Sequence, residues 1–162
     1  MNATPTPPMQ QRIFLVVVDE TEEMRVALRY AALRARHTGG RVALLVVLEP
    51  SELKQWAAVD ALQREESRAA AEQLVGRLSA EVNEIAGTKP VVFIREGLRS
   101  DELLGLLNDE PSISVLVLAA GSGPDGPGPL IDALLGKLAG TVRVPITIVP
   151  GSLTEAQLAA LA

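Results

Sequence analysis

The sequence predicts an α/β fold: a doubly wound, five-stranded parallel sheet of order 3-2-1-4-5 with helices on both faces. Three observations carry that prediction. Five short aliphatic runs alternate along the chain with segments of helical periodicity. The 162 residues are 48% hydrophobic but only 2% aromatic, so the core is built from Val, Leu, Ile and Ala, as suits parallel strands covered on both faces. Finally, the fourth aliphatic run leads into the Gly/Pro-rich stretch Ala119–Pro129 and then another helical segment. That strand–loop–helix order is how α/β proteins build anion sites, because glycine lets backbone N–H groups approach a ligand closely.

The elements follow in order. Residues 1–11, rich in proline and polar side chains, read as a disordered leader. Ile13–Val18 is too short for a helix and β-branched enough for a central strand, and Asp19 ends it. Thr21 is placed to cap a helix with Glu22 and Glu23 in its first turn, where acids suit the dipole. Met24, Ala27, Leu28, Ala31 and Ala35 share its apolar face; Arg34, Arg36 and His37 occupy the last turn, and Gly39-Gly40 stops it. Val42–Leu48 is the second strand, closed by Glu49-Pro50, and completes a right-handed βαβ unit.

Residues 51–59 read as a surface loop or short turn in which Trp56 is a packing anchor or, alternatively, an exposed partner contact. Asp60–Ala86 predicts a long helix with Leu62, Ala70, Leu74, Leu78, Val82 and Ile85 inward; Arg64, Glu65, Glu66, Arg68 and Glu72 form a solvated face. Gly87–Pro90 breaks it. Val91–Ile94 is the third strand, and Arg95-Glu-Gly97 turns out of it. Ser100 is the expected cap of a helix that buries Leu103, Leu104 and Leu107 and closes at Asn108–Pro111. Ile113–Leu118 is the fourth strand, Leu130–Ala139 a short helix ended by Gly140, and Val144–Val149 the fifth strand. Pro145 lacks an amide donor, so this strand starts late or lies at an edge. A small helix, Glu155–Leu161, follows. Residues 12–150 thus make one domain and 151–162 a helical tail.

Several functions are disfavoured. The net charge is −5 with both signs interspersed, and no basic cluster tracks a phosphate backbone, so nucleic acid is not an expected partner. Without cysteine there are no disulfides, thiolate zinc sites or thiol nucleophiles. The one histidine, His37, reads as a helix-end cation, and no nucleophile, base or metal constellation assembles around it. The apolar runs are strand-sized and the first residues lack a signal-peptide core, so the expectation is a cytoplasmic protein with no membrane partner. A phosphate-binding Walker loop fails because Ile131 and Leu138 stand where Gly and Ser/Thr belong. A Rossmann fingerprint fails because Asp19–Glu23 contains no glycine. An enzymatic role is therefore not expected.

Ligands of doubly wound sheets bind at the carboxyl ends of the strands, where strand order reverses. In order 3-2-1-4-5 that point lies between the first and fourth strands, so Asp19 and the Gly/Pro loop face one another. On its own the loop reads either as an anion cradle or as a proline-stiffened segment that closes the cleft or meets a partner. Asp19 reads either as a ligand contact or as a strand-end cap.

Val16-Val-Val-Asp19, Ala27-Leu-Arg-Tyr-Ala31, Leu44-Leu-Val-Val-Leu-Glu-Pro50 and Arg95-Glu-Gly97, in that order, resemble the universal stress protein family over about residues 12–150. The resemblance implies a stress-response protein whose ligand is ATP or another adenine nucleotide. By the same resemblance Asp19 lies near the nucleotide, Val47 packs against adenine, and Gly121, Ser122, Gly123, Gly126, Gly128 and Gly136 serve the phosphates. ATP-binding members carry G-x2-G-x9-G-[S/T]; Gly123, Gly126 and Gly136 match the glycine spacing, with Lys137 in place of the hydroxyl residue. Counting back from Pro145 instead puts Asp132-Ala133 at the last two motif positions, and the hydroxyl is missing in both registers. The alternative is a member that binds no nucleotide and acts as a protein-interaction module. The family also implies a homodimer through the last strand, whose edge Ile146–Val149 leaves backbone groups for a second copy.

Overall fold

The computed structural model describes residues 10–50 and 57–162, with the backbone alone for 57–60. The strands are β1 (Ile13–Val17), β2 (Arg41–Leu48), β3 (Val91–Glu96), β4 (Ile113–Ala120) and β5 (Ile146–Pro150). They form one all-parallel sheet in the order β3-β2-β1-β4-β5. The helices are α1 (Glu22–Thr38), α2 (Ala57–Ala86), α3 (Arg99–Asp109), α4 (Pro129–Leu135) and α5 (Glu155–Leu161), with a 3-10 turn at Ala139–Thr141. Order and parallel pairing are those the sequence predicts.

Because strand side chains alternate between faces, the continuous apolar runs feed two cores. Phe14, Val16 and Val18 join Val42, Leu44 and Val46 against α1, α2 and Leu158 of α5. Leu15 and Val17 join Ala43, Leu45 and Val47 against Leu103, Leu106 and Leu107 of α3 and Ile131 and Leu134 of α4. α3 and α4 thus share a face, and their N-terminal ends stand above the carboxyl ends of β1 and β4. Where the pairing of β1 with β4 slips by a residue near Ile13, Ser114 Oγ accepts the Ile13 N–H at 3.1 Å, so the irregularity leaves no orphan donor. The helical tail docks on α1: Leu158 is buried, and Arg34 and His37 reach the main-chain oxygen of Ala162 at 3.2 and 3.0 Å. Among the described residues no helix is long and apolar enough to cross a membrane.

Several local expectations are corrected. α2 begins at Ala57, so residues 57–59 are helical rather than loop; Trp56 and residues 1–9 lie outside the described residues. Leu62 is 58% exposed and Ala70 is exposed, while Ala71, Val75, Leu78 and Val82 form the buried stripe. The reason is length. The 30 residues of α2 span about 45 Å, whereas the eight of β2 span about 26 Å, so the N-terminal half overshoots the sheet.

α3 starts at Arg99, with Leu98 in the cap position and no side-chain cap, so Ser100 is not the cap. A tertiary contact substitutes, because Glu49 Oε1 accepts the Arg99 N–H at 3.4 Å from the loop after β2. Within α3, Leu106 is fully buried and Leu104 only partly. α4 stops at Leu135 instead of Ala139, since Gly136 takes φ −92°, ψ −113° and leaves the helix. β5 starts at Ile146, immediately after Pro145, and is an edge strand. β4 runs on to Ala120, so the loop proper begins at Gly121.

Candidate functional site

The carboxyl end of β1 is shaped by a short hydrogen-bonded relay. Asp19 Oδ1 accepts the Thr21 N–H at 2.8 Å and its hydroxyl at 2.5 Å, and Thr21 Oγ1 in turn accepts the Met24 N–H at 3.3 Å. This Asx-type turn followed by an N-cap is what Asp-x-Thr before an amphipathic run encodes. It gives Asp19 a structural duty whether or not a ligand is bound. One turn on, Glu23 lies against the backbone of the neighbouring loops. A Cβ on Gly151 would come within 2.5 Å of Glu23 Cγ and 2.9 Å of the Ala120 oxygen. Gly151 is therefore required by close approach, and its N–H binds that same Ala120 oxygen at 2.9 Å.

The loop after β4 closes on itself. The Gly121 N–H reaches the Pro127 oxygen at 3.1 Å, and the Gly126 N–H reaches the Gly123 oxygen at 3.3 Å across Pro124-Asp125. Proline second and glycine fourth are favoured positions of a β-turn. Gly126 has φ +83° and Gly128 φ +119°, backbone that side-chain-bearing residues rarely adopt. Gly128 then caps α4 and Pro129 occupies its first turn, where a missing N–H costs nothing. With seven residues, α4 offers only a weak dipole.

Between these elements, at the reversal of strand order, lies a cavity of about 290 Å³. Asp19, Thr21 and Glu23 line it from β1 and α1, Gly121 and residues 126–131 from the loop and α4, and Arg99 from α3. Asp19, Gly121, Gly126 and Gly128 are thus brought together. Ser122 and Gly123 sit on the exposed outer part of the loop, off the cavity wall. Val47 is 7% exposed and packs with Val17 in the core beneath. Gly136 ends α4 at the far side from Gly128, about 12 Å along the helix, and does not line the cavity. Asp132 stands in the first turn of α4, near the loop but exposed. A larger cavity, about 500 Å³, is lined by Leu48, Arg64 and Glu96 among others.

Glu23 and Arg99 are the site residues that pattern reasoning missed. Glu23 is legible as a first-turn acid but not as a cavity wall. Arg99 has one signal, a cation just after the turn that follows the third strand, at the same end of the sheet as Asp19. Among the described residues no group of His, Asp or Glu could hold a metal ion.

A family model described as the universal stress protein family matches residues 11–150. Among solved structures, the universal stress protein UspA from Lactobacillus plantarum superimposes with a TM-score of 0.72 at 17% identity, covering 86% of this chain and 97% of that one. A family protein from Arabidopsis thaliana with AMP bound superimposes at 0.57 with 11% identity, covering 86% and 91%. A universal stress protein in complex with cAMP does so at 0.55 with 19% identity, covering 88% and 99%. At such identities the likeness speaks for the fold. No curated protein matches the sequence.

Proposed function

The chain belongs to the universal stress protein family, and from that premise we propose that it is a small cytoplasmic stress-response protein that binds an adenine nucleotide in the cavity between β1, β4 and α4. One observation carries the reading. Asp19 and the glycines Gly121, Gly126 and Gly128, about a hundred residues apart in sequence, line a single cavity at the reversal of strand order. The phosphates rest against the backbone of Gly121–Gly128, with Ser122 and Gly123 approaching from the outer turn. Adenine lies toward Asp19 and the end of β2, above Val47. Structural relatives with AMP and cAMP bound support the ligand class. Gly136 serves to end α4.

A specific observation favours the second reading, a protein-interaction module without nucleotide. The loop is already closed by its own Gly121–Pro127 and Gly126–Gly123 bonds, so it holds its shape without a ligand. In either reading the protein is a homodimer through β5, an edge strand with Ile148 37% exposed.

Thermal unfolding with and without Mg-ATP, AMP and cAMP separates the readings. A ligand at a hundred times its Kd adds about 2.7 kcal/mol to stability, which raises Tm by about 8 °C in a chain of this length. No shift at millimolar concentrations of all three overturns the nucleotide reading and leaves the interaction module.

A further inference from the structure

The cavity carries an electrostatic conflict. Asp19 and Glu23 both line it, and carboxylates oppose a phosphate at close range. The short helix α4 brings little compensating dipole, and the prolines at 127 and 129 remove two amide donors from the loop that would face an anion. One cation, Arg99, stands among the lining residues.

Arg99 is held at the first position of α3. Its N–H is bound to Glu49, and the turn before it is tied to β2 through the Gly97 N–H and the Leu48 oxygen at 3.0 Å. Among the described residues its side chain, unlike its backbone, is uncommitted. The Nε atom is buried with no hydrogen-bond partner, and among the described residues the guanidinium forms no ion pair. Asp19, whose Oδ1 is engaged by Thr21, forms no ion pair with it. A buried donor without an acceptor is unfavourable unless something else supplies one. Arginine is suited to the task, because its planar fork matches phosphate oxygens and stays charged.

We propose that Arg99 is a ligand-binding residue of this cavity, pairing with a phosphate of the bound nucleotide and offsetting the repulsion of Asp19 and Glu23. The inference rests on the nucleotide reading and adds to it. It makes recognition depend on the phosphate, so a nucleotide is preferred over its nucleoside, through a cation presented by α3 rather than by the glycine loop.

Calorimetric titration of AMP and of adenosine into the wild type, Arg99→Met and Arg99→Lys tests it. AMP affinity is expected to fall about 10- to 100-fold in Arg99→Met, the size of a hydrogen bond to a charged group. Adenosine affinity is expected to stay unchanged, and Arg99→Lys to recover part of the loss. Equal AMP affinity in wild type and Arg99→Met overturns the proposal and leaves nucleotide binding intact. Equal weakening of AMP and adenosine also overturns it, since that outcome marks a structural role. A wild type that binds neither compound overturns the proposal, while the nucleotide reading itself is decided by the thermal unfolding with Mg-ATP and cAMP.

Discussion

Gly128→Ala isolates the contribution of loop geometry. Gly128 sits at φ 119°, ψ 155°, in a region of backbone space that only glycine occupies readily. A Cβ built there meets nothing within 4 Å, so the substitution adds strain without a clash. Holding alanine in such a conformation costs about 1–3 kcal/mol. The unfolding entropy of a 162-residue chain is about 340 cal/mol/K, so each kcal/mol corresponds to about 3 °C in Tm. If the loop keeps its shape, differential scanning calorimetry will show Tm lower by about 3–9 °C. If the exposed loop relaxes instead, the strain reappears as lost nucleotide affinity, about 5- to 150-fold for the same energy. Gly140→Ala is the control. It lies in an exposed turn away from the cavity, with open space around it and without a positive φ, so both measurements stay near wild type. If the two variants prove indistinguishable in both Tm and affinity, Gly128 does not hold the loop and the reasoning fails.

Other perturbations test the surrounding structure. Gly151→Ala drives a methyl group to 2.9 Å from the Ala120 oxygen as well as into Glu23, and is expected to destabilise the protein by about 1–3 kcal/mol in urea unfolding; Glu23→Ala in the same chain restores only part, because the backbone oxygen remains. Leu106→Ala, at a fully buried position, is expected to cost about 3–5 kcal/mol, whereas Leu62→Ala, at a 58% exposed one, changes the urea midpoint by less than about 0.5 kcal/mol equivalent. If the proposed β5 dimer forms, Ile148→Lys on the edge strand is expected to give a monomer in sedimentation velocity with little change in Tm; a dimer that persists places the interface elsewhere.

The strands were legible because parallel strands buried on both faces leave unbroken aliphatic runs, and Ile13–Val18 and Val42–Leu48 appear as strands to within a residue. The α1 start was equally legible, since Thr21 and its acidic first turn are a local device and the hydroxyl does bind the Met24 amide. Boundaries set by distant partners were not. Ser100 looks like a cap, but the helix already starts at Arg99, whose amide is bound by Glu49, about fifty residues earlier in the chain. The inward face of α2 is not legible near Leu62 because periodicity says nothing about where the sheet ends.

For the candidate site the division is sharper. Chain order and turn chemistry alone determined the fold class, the position of the strand reversal, and the pairing of Asp19 with the glycine loop across it. Only the tertiary structure decided that the loop bonds to itself, that Gly136 stands away from the cavity, and that Glu23 and Arg99 stand within it. The physical reason is the range of the forces involved. Burial and turn preferences act between neighbours in sequence and leave a periodic record there, whereas the charge balance of a cavity depends on side chains such as Asp19 and Arg99, brought together by the crossing of separate strands and helices.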